Sequence, residues 1–218
     1  MTSTKKLPLL IFDFDGTLID SAEDLWIAMN KTLQHYHKPQ VTREVLISHI
    51  GDGLKKLVHD FFPGPGIESR ENLSRVDEFL HHYHQSATLH TKLYPGVENF
   101  LRGYQGPIAL VTNKNIEPTR QLLKHFKLDQ LPWVAVYGGD SLPEKKPSPL
   151  PLQNAMKLAN RSAEETYMIG DGRPDMKAAL AAGCKKIAVH YGYSKPSELE
   201  LYNPDFTLKI FDDLSKII

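Results

Sequence analysis

Two aspartates, Asp13 and Asp15, flank one aromatic residue directly after an apolar run over residues 7–12, and Gly16 and Thr17 follow them. Paired carboxylates at the end of a buried strand destabilise a fold, because each loses hydration and repels the other. The same oxygens are suitable ligands for a divalent cation, and a carboxylate can attack phosphorus as a nucleophile. A plain turn is the alternative interpretation, since Asp and Gly are common turn residues.

The overall composition is that of an ordinary globular protein and counts against several classes of function. The chain has 218 residues, of which 41% are hydrophobic and 24% charged, and 26 basic residues balance 26 acidic ones. A neutral total gives no support for binding to nucleic acid or to a membrane surface. No apolar run approaches the roughly 20 residues that span a bilayer. Residues 1–6 are polar and do not resemble a signal peptide. Cys184 is the single cysteine and cannot form an internal disulfide, which fits a reducing compartment. We therefore expect a cytoplasmic protein.

The pattern of apolar residues divides the chain into two kinds of structure. Residues 20–88 show helical spacing almost throughout, which predicts an inserted helical domain. Residues 1–19 and 89–218 show alternating strand and helix patterns, which predict an α/β core with a parallel sheet covered on both faces. The predicted strands cover residues 7–13, 108–111, 134–137, 167–169, 187–189 and 206–207. The predicted core helices cover residues 97–101, 118–126, 150–158 and 174–182.

Polar groups suited to one ligand follow four of the predicted strands. The first strand ends in Asp13, the second in Thr112-Asn113-Lys114, and the fourth in Gly170-Asp171 with Asp175 four residues later. The third strand leads through Gly138-Gly139-Asp140 to Lys145-Lys146-Pro147. Because ligands of open α/β sheets bind beyond the carboxyl ends of the strands, we expect these groups to meet at one site.

The residue types at these strand ends suit hydrolysis of a phosphate monoester. Asp13 is the candidate nucleophile, and Mg²⁺ is the expected cation because it takes oxygen ligands. The expected ligands are carboxylate oxygens of Asp13 and Asp171 and the backbone carbonyl of Asp15. Asp175 is expected to bind the metal directly or through a water molecule.

The remaining candidates bind phosphate or move a proton. Lys146 is expected to neutralise charge on Asp13 and on the phosphate, and Thr112 and Asn113 are expected to hydrogen-bond phosphate oxygens. Asp15, which we expect other carboxylates to crowd, is the candidate acid that protonates the leaving oxygen. It then acts as the base that activates the hydrolytic water.

The ordered set of Asp13-x-Asp15-Gly16-Thr17, Thr112-Asn113, Lys146-Pro147 and Gly170-Asp171-x-x-x-Asp175 resembles the haloacid dehalogenase superfamily over essentially the whole chain. The helical insert directly after the first motif resembles the cap of its subfamily I. The resemblance implies a Rossmann-like parallel sheet core with an inserted α-helical cap domain. It also implies Asp13 as nucleophile, Asp15 as acid and base, Thr112 and Lys146 as phosphate ligands, and a Mg²⁺ site at Asp13, Asp15 and Asp171.

Finer features are similar to the phosphoglycolate phosphatases of that superfamily, and they imply hydrolysis of 2-phosphoglycolate to glycolate and phosphate. These features are Gly138-Gly139-Asp140, Lys145-Lys146-Pro147-Ser148-Pro149, Ala178-Ala179 through Gly183, and Tyr191-Gly192-Tyr193. Gly172 and Pro174 depart from the Ser and Asn that are usual in the last motif, so contacts around the metal are expected to differ.

The predicted cap contains Gly51-Asp52-Gly53, which is interpreted as a loop that closes over the substrate, with a plain turn between helices as the alternative. The expected partner is a small phosphorylated metabolite, and the chain is expected to be a monomer or a homodimer. Three alternatives of the same fold stay open: a pyrophosphatase, a phosphatase of another sugar phosphate, and a phosphosugar mutase. A non-catalytic phosphate-binding regulator is the alternative from another class.

Overall fold

The computed structural model describes residues 6–218, so residues 1–5 of the predicted polar N-terminus lie outside the described part of the chain. Its eight strands are, in chain order, β1 (Leu9–Phe12), β2 (Ile19–Asp20), β3 (Lys92–Leu93), β4 (Ile108–Val111), β5 (Trp133–Tyr137), β6 (Thr166–Gly170), β7 (Lys185–Val189) and β8 (Phe206–Leu208). Six strands form a parallel sheet in the order β5-β4-β1-β6-β7-β8. The predicted α/β class with a parallel sheet is therefore confirmed.

Nine helices complete the described residues together with a 3₁₀ turn over Phe211–Lys216. They are α1 (Ala22–His35), α2 (Arg43–Ile47), α3 (Leu54–Phe61), α4 (Arg70–Ser86), α5 (Val97–Gly103), α6 (Ile116–His125), α7 (Leu150–Ala159), α8 (Arg173–Ala182) and α9 (Pro196–Glu200). None of the described helices combines the length and the apolar character that a bilayer-spanning segment requires.

The central strand β1 shows why the sheet has helices on both faces. All four of its residues are fully buried, as expected for a strand inside a parallel sheet. Successive side chains point to opposite faces, so Leu10 and Phe12 enter one apolar cluster and Leu9 and Ile11 enter another. Strand β1 also lies between β4 and β6, so the carboxyl ends of these three strands are adjacent. This is the point in the sheet where a ligand crevice is expected.

Helices α1 to α4 pack mainly on one another and bury their own apolar cluster. That cluster includes Leu25, Met29, Leu33, Leu57, Val58, Phe62, Val76, Phe79 and Tyr83. The packing agrees with a helical cap, although the predicted boundaries at residues 20 and 88 stay a prediction. We refer to α1–α4 and their connections as the cap. The buried Asp24 at the start of α1 accepts hydrogen bonds from the backbone N–H groups of His90 and Thr91, which ties the two connections between cap and sheet together.

Four short elements were not predicted. Strands β2 and β3 form a two-residue antiparallel ribbon, in which Ile19 pairs with Leu93. Helix α9 and the 3₁₀ turn at Phe211–Lys216 also lack a clear apolar pattern in the sequence. Two- to six-residue elements are too short to show a periodic pattern, so their positions depend on the packing around them.

Candidate active site

Three aspartate carboxylates meet at the carboxyl ends of β1 and β6. Asp13 follows β1, Asp171 follows β6, and Asp175 lies in the first turn of α8. One oxygen from each carboxylate lies within 4.8 Å of the others. The backbone N–H of Gly172 donates to Asp175 Oδ2 over 2.9 Å, which fixes this carboxylate at the helix start. A cluster of oxygen donors this tight fits a hard divalent cation.

Lys146 forms the floor of this cluster and is only 2% exposed. Its Nζ lies 2.9 Å from Asp13 Oδ1 and 2.5 Å from Asp175 Oδ1, and it donates to the carbonyl oxygen of Val111 over 2.6 Å. Burial alone acts to lower the pKa of Lys146, but the two carboxylates outweigh it and the pKa is raised. Lys146 is therefore a permanent cation that holds one oxygen of Asp13 in place.

The surroundings of the other two carboxylates favour their protonated forms when no cation is bound. Burial, followed by the negative charge of Asp13, raises the pKa of Asp175 to about 7. Burial, followed by the charges of Asp13 and Asp175, raises the pKa of Asp171 well above its usual range. Three carboxylates with one ammonium group leave an excess of negative charge in a buried space, which a divalent cation would neutralise.

Two glycines allow the chain to pass close to Asp171. The Thr17 hydroxyl donates to Asp171 Oδ1 over 3.0 Å, and the Tyr193 N–H donates to Oδ2 over 2.7 Å. A Cβ atom at Gly16 or at Gly192 would overlap the Asp171 carboxylate, and Gly16 also has a left-handed φ of 79°. The sequence motifs around Gly16 and Gly192 therefore have a steric role in shaping the cluster.

Asp15 is placed differently from the expectation that carboxylates crowd it. The Ser21 hydroxyl donates to Asp15 Oδ1 over 2.5 Å. Lys114 Nζ donates to the two carboxylate oxygens of Asp15 over 3.1 and 3.2 Å. The direct partners of this carboxylate are thus a hydroxyl and an ammonium group, which the sequence analysis did not predict. The role of the Asp15 carbonyl as a metal ligand stays a prediction.

Lys114 and Tyr83 are pocket residues that the sequence analysis did not assign. Burial acts to lower the pKa of Lys114, but Asp15 and then Tyr83 outweigh it and the pKa is raised. The Lys114 Nζ lies 4.6 Å from the centre of the Tyr83 ring, which comes from α4 of the cap. Burial raises the pKa of Tyr83 to about 12, so its phenol stays protonated near neutral pH. The only signal for Lys114 in the sequence is its position at a strand end, two residues after Thr112.

Thr112 and Asn113 lie at the end of β4, as predicted, and both line the same pocket as Asp13. The Thr112 Oγ1 accepts a hydrogen bond from the Lys114 N–H over 3.2 Å, which leaves the hydroxyl hydrogen for a ligand. The Asn113 side-chain amide donates to the carbonyl oxygens of Gly51 and Lys146, each over 2.9 Å. Its donors therefore join the cap loop to the floor of the site, so a phosphate contact would have to use the Asn113 main chain.

The cap loop Gly51-Asp52-Gly53 closes over this edge of the sheet. Asn113 holds the Gly51 carbonyl, and Lys145 Nζ donates to the Asp52 carbonyl oxygen over 2.6 Å. The core side of the resulting pocket is polar, with Asp13, Asp15, Thr112, Asn113, Lys114 and Asp171 in its lining. The cap side is mostly apolar, with Leu25, Ile50, Leu54, Leu57, Phe79 and Leu80 in its lining. The arrangement can enclose a small polar ligand between charged and apolar walls.

The geometry agrees with the known proteins that this chain resembles. A family model described as haloacid dehalogenase-like hydrolase matches residues 10–189. The chain is 35% identical over 214 residues to a phosphoglycolate phosphatase of Colwellia psychrerythraea, with 94% of each protein covered. It is 37% identical over 212 residues to a phosphoglycolate phosphatase of Chromobacterium violaceum, with 89% of this chain and 90% of that protein covered.

Solved structures show the same similarity. A crystal structure of a predicted phosphoglycolate phosphatase from Haemophilus somnus superposes with a TM-score of 0.85 at 28% identity and covers 99% of both chains. A haloacid dehalogenase-like hydrolase from Bacteroides fragilis superposes with a TM-score of 0.87 at 22% identity, over 96% of this chain and 100% of the other. The second likeness shows the fold alone.

Proposed function

The chain belongs to the haloacid dehalogenase-like hydrolase family, and we propose that it is a Mg²⁺-dependent phosphatase that hydrolyses 2-phosphoglycolate to glycolate and phosphate. The observation that carries the proposal is the convergence of Asp13 with Asp171, Asp175 and Lys146 at adjacent strand ends. The substrate follows from the relatives named phosphoglycolate phosphatase, which match nearly the full chain at 35% and 37% identity.

Asp13 is the proposed nucleophile, and it attacks phosphorus to form an aspartyl-phosphate. Lys146 holds Asp13 Oδ1, which leaves Oδ2 to attack. The Thr112 hydroxyl and the Asn113 main chain bind phosphate oxygens from the side of β4. When bound to Asp13, Asp171 and the Asp15 carbonyl, Mg²⁺ supplies the positive charge that a dianionic phosphate needs to approach these carboxylates. Asp175 positions this set through Lys146 and Gly172.

Asp15 is the proposed acid and base of the reaction. Its carboxyl donates a proton to the ester oxygen as the alcohol leaves, and the resulting carboxylate accepts a proton from the water that hydrolyses the aspartyl-phosphate. Ser21 and Lys114 orient the carboxyl through their contacts with its oxygens. The cap loop Gly51-Asp52-Gly53 covers the pocket during this step and limits access of bulk water.

The pocket also bears on the alternative functions. A phosphosugar mutase has to hold a second phosphate, and of the described residues that line the pocket Lys114 alone is cationic. The apolar cap wall offers few partners for sugar hydroxyls, which favours a short leaving group. A regulator without activity would not need the complete set of Asp13, Asp15 and Lys146. We further propose that the enzyme works in the cytoplasm on small metabolites, as a monomer or homodimer, without nucleic-acid or membrane partners.

The test is a panel of kcat/KM values over 2-phosphoglycolate, pyrophosphate and sugar phosphates, with Mg²⁺ and with EDTA. We expect the highest value for 2-phosphoglycolate and loss of turnover in EDTA. The variant Asp13→Asn should lower kcat by roughly 10⁴-fold or more, because it removes the nucleophile. Asp129→Asn is the matched control, because Asp129 is an exposed aspartate between α6 and β5 and does not line the pocket. This variant should retain the wild-type kcat. Substantial turnover by Asp13→Asn would reject the covalent reaction, and a clear preference for another ester would reject the substrate.

A further inference from the structure

The proposed chemistry leaves the contact between Lys114 and Tyr83 unexplained. Within the described residues, Lys114 Nζ donates hydrogen bonds to Asp15 alone, although an ammonium group has three donors. The Tyr83 side chain is 1% exposed and lines the pocket, and its hydroxyl has no hydrogen-bond partner among the described residues. Buried hydroxyl groups are rarely left unpaired, so the Tyr83 hydroxyl is available to bind a ligand or a water molecule in the pocket.

The position of these two groups relative to Asp15 indicates which part of a substrate they meet. An ester oxygen that receives a proton from Asp15 has to lie within about 3 Å of its carboxyl. Lys114 Nζ is itself 3.1 Å from Asp15 Oδ1. In 2-phosphoglycolate a single methylene group separates the carboxylate from the ester oxygen. A substrate placed for protonation by Asp15 therefore brings its carboxylate next to Lys114.

The other pocket residues favour a leaving group that is short and negatively charged. Leu54, Leu57 and Leu80 line the pocket and offer no hydrogen bonds to a longer hydroxylated chain. Lys114 is the one cation among the described residues of the lining, so a leaving group with a negative charge has a single place to bind. Tyr83 comes from α4 of the cap and Lys114 from the end of β4, so the two donors meet where the cap packs against the sheet.

We propose that Lys114 and Tyr83 form a carboxylate subsite that selects phosphate esters whose alcohol carries a carboxylate one carbon from the ester oxygen. The proposal rests on the proposed phosphatase function and names the feature of the substrate that the enzyme recognises. Lys114 supplies the charge and an N–H donor, and the Tyr83 hydroxyl supplies a second donor from the cap. Both groups touch the leaving group, so they act on substrate choice and not on attack by Asp13.

The experiment compares kcat/KM for 2-phosphoglycolate with kcat/KM for ethyl phosphate, whose leaving group lacks the carboxylate. The wild-type ratio should be about 100 or more, since a buried charge pair is lost with ethyl phosphate. Lys114→Met should reduce this ratio to below about 10, because the cation is absent for both substrates. Tyr83→Phe keeps the ring in the cap core and should reduce the ratio about tenfold. Thermal unfolding checks that both variants are folded.

Lys145→Met is the matched control, since Lys145 is a neighbouring, partly buried lysine that contacts the cap loop and not the pocket interior. It should lower kcat/KM for both substrates alike and keep their ratio. A wild-type ratio above 100 that survives in both Lys114→Met and Tyr83→Phe would overturn the subsite and leave the phosphatase function standing. Tyr83→Phe decides the question if Lys114→Met fails to fold. A wild-type ratio near one, or preference for pyrophosphate, would overturn the subsite together with the proposed substrate.

Discussion

The raised pKa of Asp175 predicts an unusual pH dependence of stability for the metal-free protein. The native pKa is about 7, because burial and the charge of Asp13 disfavour the ionised form, whereas an unfolded Asp titrates near 3.9. Between these two values the native state binds a proton that the unfolded state has released. The contribution of Asp175 to the free energy of unfolding therefore falls as the pH rises through this window and levels off above about pH 7.

The magnitude follows from the size of the shift. Each pH unit within the window changes the free energy of unfolding by about 1.4 kcal/mol for one proton, so the full shift amounts to about 4 kcal/mol. For a chain of this length that corresponds to roughly 10 °C in Tm. In Asp175→Asn the side chain cannot ionise, and the neutral amide resembles the protonated acid in shape. The variant should therefore lose this part of the pH dependence.

The assay is thermal unfolding followed by circular dichroism in EDTA at pH 5, 6, 7 and 8. The Tm of Asp175→Asn minus that of the wild type should increase with pH up to about pH 7, because only the wild type has a carboxyl to ionise there. Mg²⁺ requires ionised ligands, so its stabilisation of the wild type should be larger at pH 8 than at pH 5. A Tm difference that stays flat, or a larger Mg²⁺ effect at pH 5, would refute the reasoning.

Two further substitutions test the geometry around the cluster and the cap loop. Gly16→Ala places a Cβ atom against the Asp171 carboxylate at a residue with a left-handed φ. The stabilisation by Mg²⁺, measured as a shift in Tm, should therefore largely disappear, and kcat/KM from steady-state kinetics should fall about 100-fold or more. Asn113→Ala removes the two side-chain amide hydrogen bonds to the carbonyl oxygens of Gly51 and Lys146. Hydrogen exchange at residues 51–53 should therefore accelerate by about tenfold or more. Unchanged exchange would show that the amide does not hold the loop.

The residues at the strand ends could be predicted from the sequence because two local rules determine them. A strand such as Leu9–Phe12, buried on both faces, is a continuous apolar run, and parallel strands connected through helices present their carboxyl ends at one edge. Asp13 and Asp171 could therefore be placed together although they are 158 positions apart in the chain. The chemistry of carboxylate oxygens then indicated a cation.

The partners of Asp15, by contrast, could not be predicted. They are the Ser21 hydroxyl, just before α1, and the Lys114 ammonium group, just after β4, and no periodic pattern in the sequence shows that these side chains meet. The contact between Lys114 and Tyr83 depends in addition on how the cap packs over the sheet. The same is true of the Asn113 side-chain amide, which donates to the carbonyl oxygens of Gly51 and Lys146, whereas a contact of Asn113 with phosphate stays a prediction. A long polar side chain has several partners within reach, and only the three-dimensional packing decides among them.

The charges of the site determine how protons, the cation and phosphate affect one another's binding. Four carboxylates face two ammonium groups: Asp13, Asp15, Asp171 and Asp175 with Lys114 and Lys146. When all are ionised the net charge is −2, and each unscreened repulsion with a phosphate oxygen at 4 Å amounts to about 4 kcal/mol at an effective dielectric constant of 20. Protons on Asp175 and Asp171 relieve the repulsion but supply no positive charge to hold phosphate. Protons and the cation therefore compete for the same oxygens, so activity should fall on the acid side, where Asp175 contributes most to the stability of the metal-free protein.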